Sequence, residues 1–346
     1  MKRLILILLA VFVALVVLVV IAALVLGPSL GLERRVDFDA PGILVIELDG
    51  LVVERAAPDL FSAEFEGAQH ELLDLALALD RAATDDRVAG VYLRVGTPGY
   101  GWAKAEELRA RLAAFRARGK FVYAFTTWTD ELGYYVASAA DSIYLLPDGM
   151  LDLNGFRAET PFIRPLLEKL GLEPQVEAIG AYKSAADMLR RDNMSDAERE
   201  VTGAILGERY GRFLDAATAG RRVDRARFAA ALDQGVYLAR DLEALQLVDG
   251  QRYEADVRRL AVARARGVEP GAMDDADDLD ASFVDVRDYA AELPDPPGDV
   301  EGTVGLVYAV GAITGGDSGF DPVFGRTLGA RSTIEMLENV ARDDAL

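Results

Sequence analysis

Five lysines stand against 32 arginines in this chain of 346 residues, so a position that carries lysine is a candidate for chemistry arginine cannot do. A buried ε-ammonium loses its proton near neutral pH and can then act as a general base, whereas a guanidinium stays charged. Lys183 is the lysine placed for that task. It follows an apolar stretch and sits among small residues in Gly180-Ala181-Tyr182-Lys183-Ser184-Ala185. The same spacing also suits a surface lysine at a strand-to-helix junction, and spacing alone leaves both readings open. Lys104, Lys120 and Lys169 fall on helices or in a loop before a strand and read as solvated.

The other reactive types narrow the choice. There is no cysteine, so thiolate catalysis, disulfides and Cys-ligated metals are excluded. The single histidine, His70, reads as a solvated residue at the start of an amphipathic helix, so a Ser-His-Asp triad has no convincing base. No metal and no cofactor are expected. The pairs Asp274-Asp275 and Asp277-Asp278 lack the glycine and closing glutamate of a calcium loop. Hydrolytic chemistry is then left to Ser, Lys, Asp or Glu, yet no G-x-S-x-G or S-x-x-K is present. Ser138 reads as a small packing residue, and Ser184 is a sequence neighbour of Lys183, a poor geometry for a reacting pair. Gly96-Thr97-Pro98-Gly99-Tyr100-Gly101 offers backbone N–H groups to an oxyanion or a phosphate, although plain turn geometry accounts for it equally. It is neither a dinucleotide fingerprint nor a P-loop. A net charge of −20 repels a phosphate backbone, so nucleic acid is not expected as a partner.

Strands must alternate with helices to place these residues. Gly42–Glu54, Val88–Val95, Phe121–Thr126 and Ser142–Leu146 are short and rich in β-branched or aromatic residues, as buried strands are. Helical spacing is found at Glu71–Ala83, Ala103–Ala117 and near Glu131–Ala140. The alternation predicts an α/β domain with a mostly parallel sheet. Beyond it the pattern predicts a helix at Pro161–Leu170, a strand at Pro174–Ile179 and a long helix at Asp196–Ala217, opened by the capping box Ser195-Asp196-Ala197-Glu198. Smaller helices are expected at Arg225–Leu232, Asp241–Leu245 and Tyr253–Arg266.

Leu4 to Leu26 is uncharged and apolar, and as a helix spans about 34 Å, enough for a bilayer core. Met1-Lys2-Arg3 keeps the N-terminus in the cytoplasm, with the rest of the chain on the far side. Residues 267–301 are acidic and proline-bearing and read as a linker after a domain at 42–266. After the linker the chain begins again. Residues 304–313 (VGLVYAVGAI) repeat the pattern of 43–52 (ILVIELDGLV), and 341–346 (ARDDAL) that of 83–88 (ATDDRV). The residues from 302 to 346 are therefore expected to start a second copy of the first domain and to stop where its next strand should begin.

Residues 180–195, GAYKSAADMLRRDNMS, resemble the catalytic-lysine segment of the signal peptide peptidase A family, whose long form reads YKSA-x-EPF-x-RDxMS there. Residues 132–146 (LGYYVASAADSIYLL) and 119–122 (GKFV) are similar to its pattern as well, and so are the anchor and the tandem layout. The resemblance implies an α/β fold of the crotonase and caseinolytic-protease type in tandem, the second copy incomplete, preceded by one transmembrane helix. It implies a Ser/Lys dyad in which Lys183 takes the serine's proton and returns it to the leaving amine. The family's serine lies in the second copy, in an S-P-G-G-S sequence after a strand. Thr97-Pro98-Gly99-Tyr100-Gly101 is its degenerate first-copy counterpart, and the nucleophile maps roughly a dozen residues past Leu346. This polypeptide alone is thus expected to be inactive. Asp187-Met188 replaces the family's Glu-Pro.

By the same resemblance the substrates are cleaved signal peptides and similar hydrophobic peptides. The partners are membrane lipid and further copies in a homo-oligomer such as a tetramer. The location is the bacterial inner membrane, single-pass, with the catalytic domain on the periplasmic side. Two other readings stand beside this one: a non-catalytic peptide-binding scaffold of the same fold, and a crotonase-type enzyme acting on acyl-thioesters, which the anchor and the Lys183 segment disfavour.

Overall fold

The computed structural model describes residues 41–55, 70–221, 223–235, 237–273, 279–292, 306–321 and 325–342. The expected anchor at 4–26 lies outside the described residues. Among the described residues no helix is long and apolar enough to cross a membrane.

The expected mixed α/β architecture is present. The central strands are β1 (Gly42–Val53), β3 (Val88–Gly99), β4 (Phe121–Asp130) and β5 (Ser142–Asp152), paired in parallel in that order. The two-residue strand β2 (His70–Glu71) lies on the outer side of β1. At the other edge β6 (Tyr237–Leu238) pairs antiparallel and β7 (Gly250–Gln251) parallel with β5. Each crossover carries a helix: α1 (Leu72–Ala82), α2 (Trp102–Ala117) and α3 (Glu131–Ala137). Parallel strands need such crossovers, and their right-handedness puts the helices on one face.

Both faces of the sheet are covered, which explains the near-continuous apolar runs in its strands. Side chains alternate along β1 with period two. Leu44, Ile46, Leu48 and Val52 join the large core under α1, α2 and α3, while Ile43 joins a smaller one with Tyr92, Phe121 and Phe125. That second face is roofed by α9 (Glu254–Arg266) through Val257, Ala261 and Val262. Gly267 ends this helix in the left-handed region (φ 66°), a conformation that costs glycine little.

Between these lie α4 (Arg164–Lys169), α5 (Asp187–Arg190), the long α6 (Asp196–Arg221), α7 (Arg225–Leu232) and α8 (Ala239–Ala244). Only Phe213, Leu214 and Ala217 of α6 are buried, so this helix docks by its C-terminal third. Arg109 fixes the dock, its guanidinium donating to Tyr135 O, Ser138 Oγ and Ala216 O at 2.6–2.7 Å.

Three sequence expectations are corrected. Pro174–Ile179 forms no strand and pairs with no described strand, and Ile179 is 94% exposed. Its β-branched residues signal a strand, but a strand needs a ladder. Within the stretch expected as a linker, β8 (Phe283–Asp285) pairs in parallel with Ile43–Val45, and α10 (Val286–Ala291) follows. Val284, Val286 and Tyr289 are buried there, an apolar face that the acidic composition masks. His70, expected to be solvated, is buried in β2 opposite Val52. Burial lowers its pKa, with Arg287 adding to the effect.

Two strand-to-helix junctions share a local pairing. At the end of β1, Val52 and Val53 pair in parallel with His70 and Glu71, the two residues that open α1. Later, β9 (Ala312–Thr314) pairs in parallel with β11 (Gly325–Gly329), Ile313 and Thr314 facing Leu328 and Gly329, which open α11 (Ala330–Ala341). The short β10 (Gly319–Asp321) adds an antiparallel edge to β11.

Candidate active site

Lys183 lies in an arm unlike the rest of the chain. From residue 154 to residue 212 one residue is buried, and it is a carboxylate, Asp187. Apart from Phe156 and Tyr210, which pack on the edge of the large core, the arm is held by polar contacts. Gly180, at φ 96°, turns the chain, and Lys183 N donates to Gly180 O at 3.3 Å. Asp187 N then donates to Ser184 O at 2.8 Å, so Lys183 and Ser184 are carried between two successive turns. The Asp187 carboxylate accepts from Arg190 Nε at 2.6 Å and has Arg191 Nε at 4.0 Å. Met188 O accepts from Ile163 N at 2.8 Å and ties the turn to the entry of α4. The expected capping box at α6 is half formed: Ser195 Oγ accepts from Glu198 N at 3.1 Å, while the Glu198 carboxylate takes the Thr160 hydroxyl at 3.3 Å. Tyr182 reaches Glu200 through its hydroxyl at 3.3 Å.

Lys183 itself is exposed, so the burial expected around it is not supplied by the described residues. Asp187 was missed in the sequence, where it registers only as a departure from the family pattern. The signal for it was present, a carboxylate three and four residues before two arginines.

The lysines read as solvated divide. Lys169 is exposed. Lys104 donates to Val52 O at 2.7 Å, and Lys120 donates to Ala82 O and Asp85 O at 2.5 Å each. Burial lowers the pKa of Lys120, against the nearby Asp85 and Asp86. Its two carbonyl partners hold it as a donor that ties α1 to the start of β4, and it is no base. Ser138 is a packing residue as expected, fully buried, donating to Tyr135 O and accepting from Arg109.

The glycine-rich segment at 96–101 is less of a turn than its composition suggests. Gly96–Gly99 prolong β3, with Pro98 and Gly99 paired to Gly50 and Leu51. The register slips by one residue between Leu48 and Gly50, leaving a bulge at Gly96 and Thr97. The Asp49 carboxylate accepts from Thr97 N there at 2.9 Å, and the buried Thr129 hydroxyl donates to Gly96 O at 2.9 Å.

Residues 114–268 match the family model described as peptidase family S49, a span that includes the whole Lys183 arm. Over that span the chain is similar to peptidase family S49. It is 34% identical over 192 residues to the chloroplastic serine protease SPPA of Arabidopsis thaliana, covering 55% of this chain and 28% of that one. It is 27% identical over 292 residues to Protease 4 of Salmonella typhi, covering 80% of this chain and 46% of that one. Protease 4 of Haemophilus influenzae matches at 24% identity over 334 residues, covering 90% and 52%. The chain thus spans about half the length, or less, of these relatives. Among solved structures, a membrane-bound stomatin-specific protease overlays 64% of this chain and 84% of its own with a TM-score of 0.39 and 9% identity. An enoyl-CoA hydratase/isomerase family protein from Silicibacter pomeroyi overlays 66% and 80% with a TM-score of 0.36 and 17% identity. At these TM-scores the overlays carry no argument about function.

Proposed function

We propose that this chain is the lysine-bearing part of a membrane-anchored serine endopeptidase that degrades cleaved signal peptides and similar apolar peptides. The observation that carries the reading is the Lys183 turn, a family-matched segment in which a buried, arginine-paired Asp187 anchors the arm and leaves the lysine exposed. In the reaction a serine Oγ attacks the scissile carbonyl as Lys183 takes its proton. The tetrahedral intermediate collapses, the C–N bond breaks, and Lys183 gives the proton to the leaving amine. Water then repeats the sequence on the acyl-serine. Ser138, locked in the core, and Ser184, the lysine's own neighbour, do not suit this role. By this reading the serine is supplied by sequence outside the described residues. That sequence also covers Lys183, which is exposed among the described residues.

By this reading residues 4–26 anchor the protein in the bacterial inner membrane with the peptidase domain outside, residues 42–266 form the first domain, and 302–346 start a second. Oligomers of the complete protein present an apolar-lined interior to substrate. The test is degradation of a synthetic signal peptide by the complete protein in detergent, with a folded soluble protein as control. Cleavage of the peptide alone is the expected result. Binding without cleavage would move the assignment to a peptide-binding scaffold.

A further inference from the structure

At the carboxyl end of β3, where ligands of open parallel sheets bind, the backbone presents a donor already in use. The one-residue slip between β1 and β3 removes Thr97 N from the ladder, and Asp49 Oδ1 takes it at 2.9 Å. Asp49 is itself exposed, so the carboxylate lies over the bulge from the solvent side. Three features fit the bulge to it. A Cβ on Gly96 would fall 2.5 Å from Asp49 Cγ and Oδ1, so Gly96 leaves the room the carboxylate uses. A Cβ on Gly99 would fall 2.5 Å from Gly50 O, so the two strands close tightly just past the bulge. The Thr129 hydroxyl holds Gly96 O at 2.9 Å, which fixes the peptide that ends in Thr97 N–H with its hydrogen aimed at Asp49. Just past the bulge in sequence, the Tyr100 hydroxyl is buried and has no hydrogen-bond partner, and burial raises its pKa with the Asp130 charge adding to the effect.

We infer that the β3 bulge is a carboxylate- or oxyanion-binding position whose resident anion is the chain's own Asp49. A backbone N–H held rigidly at a strand end binds a small anion well, because no reorganisation is needed when the charge arrives. With Asp49 in place, neither a substrate carbonyl nor a peptide carboxylate can use that N–H. The first copy is thereby closed to acyl chemistry by a side chain, independently of the Lys183 assignment, and the two ideas fail separately.

The experiment is chemical rescue in the full-length chain in detergent, with sodium formate as the probe and sodium chloride at matched ionic strength as control. Asp49→Ala removes the anion and leaves Thr97 N–H facing an empty space one carboxylate wide. Its thermal midpoint should fall by about 2–4 °C, the shift expected for one hydrogen bond in a domain of this size. Formate should restore that loss, and the Thr97 amide resonance should move downfield in a saturable way. Wild type and Asp49→Asn, which keeps a carbonyl acceptor, should not respond to formate beyond the chloride control. Gly96→Ala, which evicts the carboxylate with a methyl group, should lose stability and show no rescue. An equal formate response in wild type and Asp49→Ala would overturn the inference, and so would an unshifted Thr97 amide. Should Asp49→Ala fold only when formate is present, the inference stands. Should it fold in neither salt, Asp49→Ser, which leaves space beside a short acceptor, is carried through the same series and read by the Thr97 amide.

Discussion

Gly133→Ala tests the packing that shapes the strand ends next to the bulge. Gly133 is on α3, whose first turn is capped by Asp130 accepting from Leu132 N and Gly133 N at 3.0 Å. A methyl group at Gly133 would lie within 1.9 Å of Thr129 Oγ1 and 3.0 Å of Val95 Cγ1, and Thr129 is fully buried. The helix cannot retreat, because Tyr134 and Val136 are fully buried behind it. The Thr129 hydroxyl must therefore swing away and give up Gly96 O. Overpacking a buried site costs about 1–3 kcal/mol, and leaving the part-buried Gly96 carbonyl without its donor adds about 1–3 kcal/mol. The expected loss is about 2–6 kcal/mol, read as a lower denaturation midpoint at unchanged slope in urea. Thr129→Ala removes the group the methyl would strike, so the double variant should lose clearly less than the sum of the singles, with coupling of about 1 kcal/mol or more. Strict additivity, or a Gly133→Ala variant within about 0.5 kcal/mol of wild type, would refute the reasoning.

Other expectations follow from the same contacts. His70 has a lowered pKa in the folded state, so its contribution is complete above the ordinary histidine value and is lost as pH falls from about 6.5 toward the folded value; His70→Gln should flatten that part of a stability–pH curve. Asp85, lowered to about 2 by its hydrogen bonds to Arg87, acts in a more acidic window, its contribution fading between the ordinary aspartate value and about 2, and Asp85→Asn should remove that slope. Arg109→Met should cost about 2–4 kcal/mol by urea denaturation, since it removes three hydrogen bonds where α6 docks, although Tyr135 O keeps a second donor in Ser138 Oγ. Asp187→Ala should open the Lys183 arm to trypsin at Arg190 and Arg191 while leaving the urea midpoint of the sheet domain nearly unchanged, because the arm contributes no other buried residue. Asp187→Glu should restore protection.

Much of the sheet was legible in the sequence because both of its faces are buried. Gly42–Glu54, Val88–Val95, Phe121–Thr126 and Ser142–Leu146 name strands that hydrophobicity alone identifies, and the last three run past their expected ends where backbone pairing continues through glycine and polar residues. What was not legible depends on partners distant in the chain. Val284 and Tyr289 are apolar residues in an acidic stretch, and only contact with β1 and Asp85 makes them structural. Pro174–Ile179 shows the converse, a strand-like composition with no neighbour to pair with. Lys183 stands out as one of few lysines and was assigned by the resemblance of its segment to the family pattern, whereas Asp187 and Asp49, two ordinary carboxylates in a chain rich in them, gain meaning only from the N–H groups and arginines placed around them.

The central claim is that Lys183 is the general base. Its most direct test is the rate of signal-peptide cleavage by the complete protein carrying Lys183→Arg, with oligomeric state and membrane association measured on the same preparation. Loss of a general base lowers the rate by about 10²–10⁴-fold, and the account expects at least that loss with assembly unchanged. Cleavage at the wild-type rate by an intact Lys183→Arg protein would contradict it.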